Sequence, residues 1–395
     1  MTAAFVVLLL SLLMGLQPIT TDLYLPSLPA LARDLGAGMG QTQLTLTALL
    51  LSFGLSQLAL GPLADRFGRR PVLLGGMALY TAASVGNALA PDIATLVATR
   101  TLQGIAMGAA VVCARAMIRD LYPPQEGARV MAKALGGLGV IALLSPLVGG
   151  LLAPLVGWRW ALVSLALFGA VLLWLLWRHL EETRPAPVPL SLPALGSNLR
   201  VIAAHPAFIA WAGLQAASYG GLFTWLAASA FVFLEVYRWS GPMYGMAMAS
   251  ACLAYIAGTF WCRRLLPRLG PQRSVALAAW ITLAGGMSMG LAGLAGIDAW
   301  WAFLLPHHLF MFAHGVHQPC AQTGSVAPFP QFAGMASALS GCLLTLVAFG
   351  IGAWLGVRLD GTSAPLVNGV WLWSVLIALL AWWPVRRSGH VQSLP

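Results

Sequence analysis

The chain has 395 residues, 59% of them hydrophobic and only 8% charged, where a soluble globular domain carries about 25% charged residues. That composition excludes an ordinary soluble domain and implies an integral membrane protein, with spans too long for the short alternating strands of a barrel. The net charge of +10 would suit a nucleic-acid partner, but the basic residues cluster on one side of the predicted spans, so the charge is a topology signal and no nucleic acid is expected.

Twelve apolar stretches predict membrane-spanning helices near residues 3–31, 41–63, 71–90, 92–118, 128–154, 158–179, 206–234, 242–265, 273–295, 299–322, 331–357 and 365–384. Each supplies the roughly 20 residues needed to cross a hydrocarbon core. The first has no charged leading region or small-residue cleavage site and is too long for a signal peptide, so it is expected to remain as a helix. With the N-terminus inside, Arg66, Arg69, Arg70, Arg129, Lys133, Arg263, Arg264, Arg386 and Arg387 are among the many bases on the inner face. The outer face has Arg33, Arg159, Arg238 and Arg358. Both termini are therefore expected in the cytoplasm.

The first helix contains "PITTDLYLPSLP", Pro18 to Pro29. An acid at the bilayer centre costs roughly 2.5–3.5 kcal/mol, so Asp22 is expected to act rather than merely reside there. Counting from Arg33 and Asp92 at 1.5 Å per residue puts Asp22 and Arg100, in the fourth helix, at a similar depth, roughly 12–17 Å from the outer surface. A carboxylate beside a cation stays ionised, whereas one desolvated or drawn away takes a proton. Asp22 and Arg100 in a shared cavity are thus the proton-coupling candidates; a fixed structural ion pair, or an acid reaching toward water, is the alternative. Gln17, Thr21 and Tyr24 on the same helix are candidate substrate contacts.

After the second span comes "GPLADRFGRRP". Gly61 and Pro62 are expected to end a helix and Gly68 to turn the loop. Asp65, Arg69 and Arg70 would bond helix ends of the neighbouring half in one conformation only, a latch for alternating access. Topology explains the arginines but not Asp65. Arg115, further along the fourth helix, either extends a polar relay or reaches the inner interface. In the fifth helix Gly136, Gly137, Gly139, Gly149 and Gly150 form a smooth face with Pro146 as a kink, for close packing or as a pivot between halves.

The proline-rich segment Leu180–Arg200 divides the helices six and six, giving a first half 1–179, a cytoplasmic linker 180–205 with a possible short surface helix, and a second half 206–395. The halves resemble each other: at an offset of about 202, "GPLADRFGRRPVLL" aligns with "RRLLPRLGPQRSVA", bringing Arg66 onto Arg268 and Gly68 onto Gly270. In the second half Gln215, Tyr219, Phe223, His314 and Gln318 are candidate contacts for a neutral or lipophilic ligand. His307, His308, His314 and His317 all fall in one helix without an opposed histidine pair, so neither metal nor haem, nor any other cofactor, is expected. The five scattered cysteines read as packing thiols.

"GPLADRFGRRP" and "RTLQGIAMGAA" (Arg100 to Ala110) resemble signatures of the major facilitator superfamily. "SPLVGG" (Ser145 to Gly150) resembles its fifth-helix antiporter motif, with serine and Ile141 where glycines are usual. "TDLYLPSLP" and "HGVHQPCAQTGSVAPFPQFAGMASAL" resemble more narrowly the Bcr/CflA drug-resistance subfamily. The resemblance implies an all-α fold of 12 transmembrane helices in two pseudo-symmetric six-helix halves. It further implies a monomer in the bacterial inner membrane, its partners being the lipid bilayer, protons and a small-molecule substrate of amphenicol, bicyclomycin or sulfonamide type, or a metabolite, exported against protons. Met14 stands where some related exporters carry a second acid, so one titrating carboxylate is expected. A nutrient symporter or facilitator of the same fold is the alternative, and a membrane-embedded enzyme a further one, though no nucleotide loop or acid/base dyad is present.

Overall fold

Proline and glycine punctuate an otherwise continuous apolar sequence, and they set where its helices break. In the computed structural model, which describes residues 3–184 and 192–389, the first predicted span is α1 (Ala3–Met14), α2 (Leu16–Asp22), a 3-10 turn at Leu25–Ser27 and α3 (Leu28–Asp34). This corrects the single helix expected over 3–31. The chain bends by 40° at Gly15, and Pro18, Pro26 and Pro29 each remove a backbone donor and crowd the preceding turn.

The second span, α4 (Met39–Phe67), runs through Gly61 and Pro62 rather than ending there, a second correction. It stops where Gly68 adopts φ 109°, a conformation that favours glycine. The chain continues as α5 (Arg69–Leu89), α6 (Ile93–Leu121), α7 (Pro124–Val156) and α8 (Trp158–His179). The Asp92 side chain accepts the Thr95 N–H at 2.8 Å and caps α6 in the usual way.

Beyond the first half lie α9 (Leu192–Ala204), α10 (Pro206–Phe231), α11 (Gly241–Leu294), α12 (Trp300–Val326), α13 (Ala333–Arg358), α14 (Ala364–Trp382) and the short α15 (Pro384–Ser388). The 54-residue α11 is two spans joined across Gly270, where φ is 71°. Gly68 and Gly270, aligned in the sequence repeat, thus share a positive φ at the same joint of their respective halves. With α1 to α3 taken as one broken span and α11 as two, the described residues supply a helical segment for each of the twelve predicted spans.

Two compact units are present: 1–191 with 241–245, and 192–240 with 246–395. The first is centred on Leu10, Leu13, Met77, Tyr80, Met107 and Met117, all buried. Leu89, Trp177, Val357 and Leu372 are exposed by more than 60%, as expected for side chains that a bilayer would cover. Linker residues Glu182 and Arg184 are bound to the first unit, residues 185–191 of the expected linker lie outside the described ones, and α9 lies where a short surface helix was considered possible, exposed at Gly196, Ser197, Arg200, Val201, Ala203 and Ala204 and buried at Ile202.

Candidate functional site

Asp22 ends α2 immediately before the proline-rich break, so its position follows from the failure of the helix to continue. It is half-buried, and the Thr21 hydroxyl donates to its Oδ1 at 2.8 Å. Gln17 Nε2 lies 3.5 Å from Thr21 Oγ1. The carbonyl of Leu23, the next residue, occupies the space that a Cβ on Gly149 would need, so α7 abuts the backbone directly at the break.

Arg100, on α6, is fully buried. Its Nη1 donates to Gln103 Oε1 at 2.9 Å, and that oxygen also accepts Asn87 Nδ2 at 2.9 Å. Gln103 Nε2 in turn donates to Ser84 Oγ at 2.7 Å, while the Thr99 hydroxyl donates to Asn87 Oδ1 at 2.7 Å. The Arg100 guanidinium carbon stands 3.8 Å from the Tyr24 ring centroid, and the Tyr24 and Thr45 hydroxyls are 2.8 Å apart. Among the described residues, Nε and Nη2 of Arg100 have no hydrogen-bond partner.

In this conformation no ion pair joins Asp22 and Arg100 among the described residues, and the guanidinium meets Tyr24. Leu23 and Tyr24 keep right-handed helical angles past the end of α2, and residues two apart in that conformation point about 160° away from each other, so Tyr24 and Asp22 do not share a face. The Asn87, Ser84 and Thr99 shell was not anticipated. Its signal was polar residues at helical spacing in an apolar span.

The arginine-rich turn is held by ion pairs and by contacts to helix ends. Arg69 pairs with Asp65 at 2.5 Å and with Asp120, at the end of α6, at 2.9 Å. Arg70 Nη2 donates to the Trp177 carbonyl at 3.3 Å. Glu182 accepts the backbone N–H groups of Arg69 at 2.8 Å and Arg70 at 3.2 Å, at the open start of α5. A Cβ on Gly68 would strike this carboxylate. Arg184 donates to the carbonyls of Asp65 and Arg66 at the end of α4. These partners all belong to the first unit, where the helix ends nearest the turn supply unsatisfied donors and acceptors. Burial acts to raise the Glu182 pKa, but the N–H groups of Arg184, Arg69, Arg70 and Thr183 outweigh it and hold the group below its ordinary value. Glu182 and Asp120 were missed as partners, although they share the feature that singled out Asp65: negative charge among basic loops.

Pro146 lies inside α7, where the Ser145 hydroxyl donates to the Ile141 carbonyl at 2.6 Å. The expected glycine face divides. Gly137 packs on Ser11 and Gly149 on Leu23, and a Cβ on Gly150 would lie 2.5 Å from the Gly241 carbonyl within the first unit; Gly136 and Gly139 face nothing within 4 Å.

In the second unit, Gln215 on α10 accepts the Ser340 hydroxyl of α13 at 2.5 Å. Tyr219 stacks nearly parallel to Phe223 at 6.3 Å. His314 Nδ1 and Ser218 Oγ are 2.7 Å apart, and Gln318 has a buried Oε1 with no partner among the described residues. The four α12 histidines diverge: His307 stacks on Trp225 at 3.7 Å, His308 meets Ser250 at 2.9 Å and His317 meets Thr282 at 3.0 Å. Among the described residues no three His, Cys, Asp or Glu side chains converge to hold a metal ion.

Duplicated six-helix halves with polar groups buried in an apolar bundle define a multi-pass membrane protein of the secondary-transporter class. The chain belongs to the Major Facilitator Superfamily, which residues 10–353 match. It is 28% identical over 392 residues to multidrug resistance protein D of Escherichia coli (strain K12), covering 98% of this chain and 97% of the relative. To the bicyclomycin resistance protein homolog of Haemophilus influenzae (strain ATCC 51907 / DSM 11121 / KW20 / Rd) it is 26% identical over 384 residues, 95% of each. These relatives agree with the Bcr/CflA-type resemblance of its motifs. The crystal structure of a D-xylose–proton symporter superposes with TM-score 0.77 at 17% identity over 100% of both chains, a likeness of fold.

Proposed function

We propose that the protein exports small amphiphilic drugs or metabolites of amphenicol, bicyclomycin or sulfonamide type in exchange for protons. It works as a monomer in the bacterial inner membrane, with both termini cytoplasmic. The observation that carries this reading is the fully buried Arg100, whose Nε and Nη2 are left unpartnered within the first unit that also holds Asp22. Those two donors form the edge of a guanidinium that takes a carboxylate bidentately.

In this mechanism Asp22 alternates between two surroundings. Apart from Arg100 and shielded from water, its carboxyl takes a proton; brought against the free guanidinium edge, it gives the proton up. The proline-rich break after Asp22, packed on Gly149, is the element that moves. Gln17, Thr21 and Tyr24 are the substrate contacts proposed for the first half, and Gln215, Tyr219, Phe223, His314 and Gln318 those proposed for the second. The turn from Gly61 to Arg70, with Asp65, Gly68 and Arg69, is the latch, and its ion pairs are remade in each cycle; Pro146, Gly149 and Gly150 form the hinge.

The test is gradient-driven export in proteoliposomes. Asp22→Asn should abolish accumulation driven by a pH gradient while leaving folding and ligand binding intact. Export at the wild-type rate would refute the coupling role. Substrate moving down the gradient together with protons would establish symport, the direction named for the D-xylose–proton neighbour, in place of exchange.

A further inference from the structure

Cys262 on α11 and Cys320 on α12 have their Sγ atoms 3.7 Å apart, each side chain no more than 3% exposed. The two helices meet backbone to backbone one turn away. A Cβ on Gly258 would strike the Phe312 carbonyl, and one on Gly315 would lie 2.8 Å from the Thr259 nitrogen and 2.9 Å from the Gly258 carbonyl carbon. Trp261 and Phe312 pack beside the same seam with ring centroids 5.2 Å apart. Small residues let helices approach this closely inside a bilayer, and here they fix the separation that brings two thiols into contact.

We propose that Cys262 and Cys320 form a dithiol site which a small lipophilic disulfide oxidises to an intramolecular disulfide, tying α11 to α12. Burial in an apolar bundle favours a reagent that arrives through lipid over one confined to water. The thiolate of either cysteine attacks one sulfur of the reagent, forming a mixed disulfide and releasing one small thiol. The second cysteine thiolate then attacks the protein sulfur of that mixed disulfide and displaces the other small thiol. Two protein thiols are oxidised, the reagent is reduced to two thiols, and these carry away the two protons. A sulfur–sulfur bond of roughly 2 Å requires the Sγ atoms to close by about 1.7 Å, a displacement within reach of side-chain rotation once the backbones are held in contact.

The experiment treats full-length protein in lipid nanodiscs with 2,2′-dithiodipyridine, measures released pyridinethione by absorbance, and maps every cysteine by mass spectrometry. The pair should release two thiones and retain no pyridyl group, with a Cys262–Cys320 cross-linked peptide recovered after digestion. In Cys320→Ser, Cys262 should instead keep one pyridyl adduct and release one thione; Cys262→Ala gives the converse should the first variant fold poorly. Stable pyridyl adducts on both cysteines of the wild type, both thiols left unmodified, or a disulfide mapped to other cysteines would overturn the proposal.

Discussion

The guanidinium of Arg100 rests over Tyr24, 3.8 Å from its ring centroid and two residues beyond Asp22. A desolvated cation over an aromatic face contributes about 2 kcal/mol, so the ring holds Arg100 in place and closes one of its faces. Tyr24→Leu should lower export at least about tenfold and reduce the thermal midpoint of detergent-purified protein. Tyr24→Phe keeps the face and loses only the hydroxyl contact with Thr45, about 1 kcal/mol. Equal losses in the two variants would show that the hydroxyl, rather than the ring, is what Arg100 needs.

Arg69 is 5% exposed and Asp120 8%, whereas Asp65 is 41% exposed. Removing one partner of a buried pair costs about 3–5 kcal/mol, while an exposed pair contributes about 1 kcal/mol or less. Arg69→Ala should therefore unfold at markedly lower temperature, since it leaves Asp120 unpaired. Asp65→Asn should fold normally and slow turnover with affinity largely spared. A pure affinity loss in Asp65→Asn, measured by ligand titration, would count against the latch.

Glu182 gives the fold a pH dependence with a definite sign. Its pKa in the folded protein lies below the ordinary 4.5, so its contribution is present above that ordinary value and is lost as pH falls through the lower, folded one. Thermal unfolding followed against pH should show wild type ahead of Glu182→Gln at neutral pH, with the gap closing in acid. A gap that stays constant with pH would mean that the carboxylate charge contributes nothing.

Gly149 faces backbone, the carbonyl of Leu23, which cannot rotate away as a side chain can. Overpacking a tight site costs about 1–3 kcal/mol, and here it would also displace the segment carrying Asp22. Gly149→Val should abolish export and lower the yield of folded protein, while Gly136→Ala, which faces nothing within 4 Å, should leave both unchanged. Transport and size-exclusion profiles of the two variants provide the comparison.

Hydropathy alone located the spans to within a few residues, because each must be long and apolar to cross a membrane. The repeat of Gly68 in Gly270 was also legible and corresponds to a shared positive φ. The break of the first span was missed because an apolar run looks continuous in hydropathy, even though Pro18, Pro26 and Pro29 were in plain view. Asp22 and Arg100 stood out by the cost of burying charge. Which side chain faces Arg100 did not, since it depends on the helix phase after the break. Glu182 was hidden for a related reason: it lies 113 residues from the Arg69 N–H it accepts, and nothing local to either position reports the meeting.

The most direct test of Asp22 as the proton carrier is proton release from detergent-purified protein near neutral pH, on addition of amphenicol-type or bicyclomycin-type ligands to wild type and Asp22→Asn. The expected result is a ligand-dependent release of protons from the wild type and none from the variant, with ligand bound by both. Binding to wild type without release, or equal release from Asp22→Asn, would contradict competition between drug and proton at Asp22.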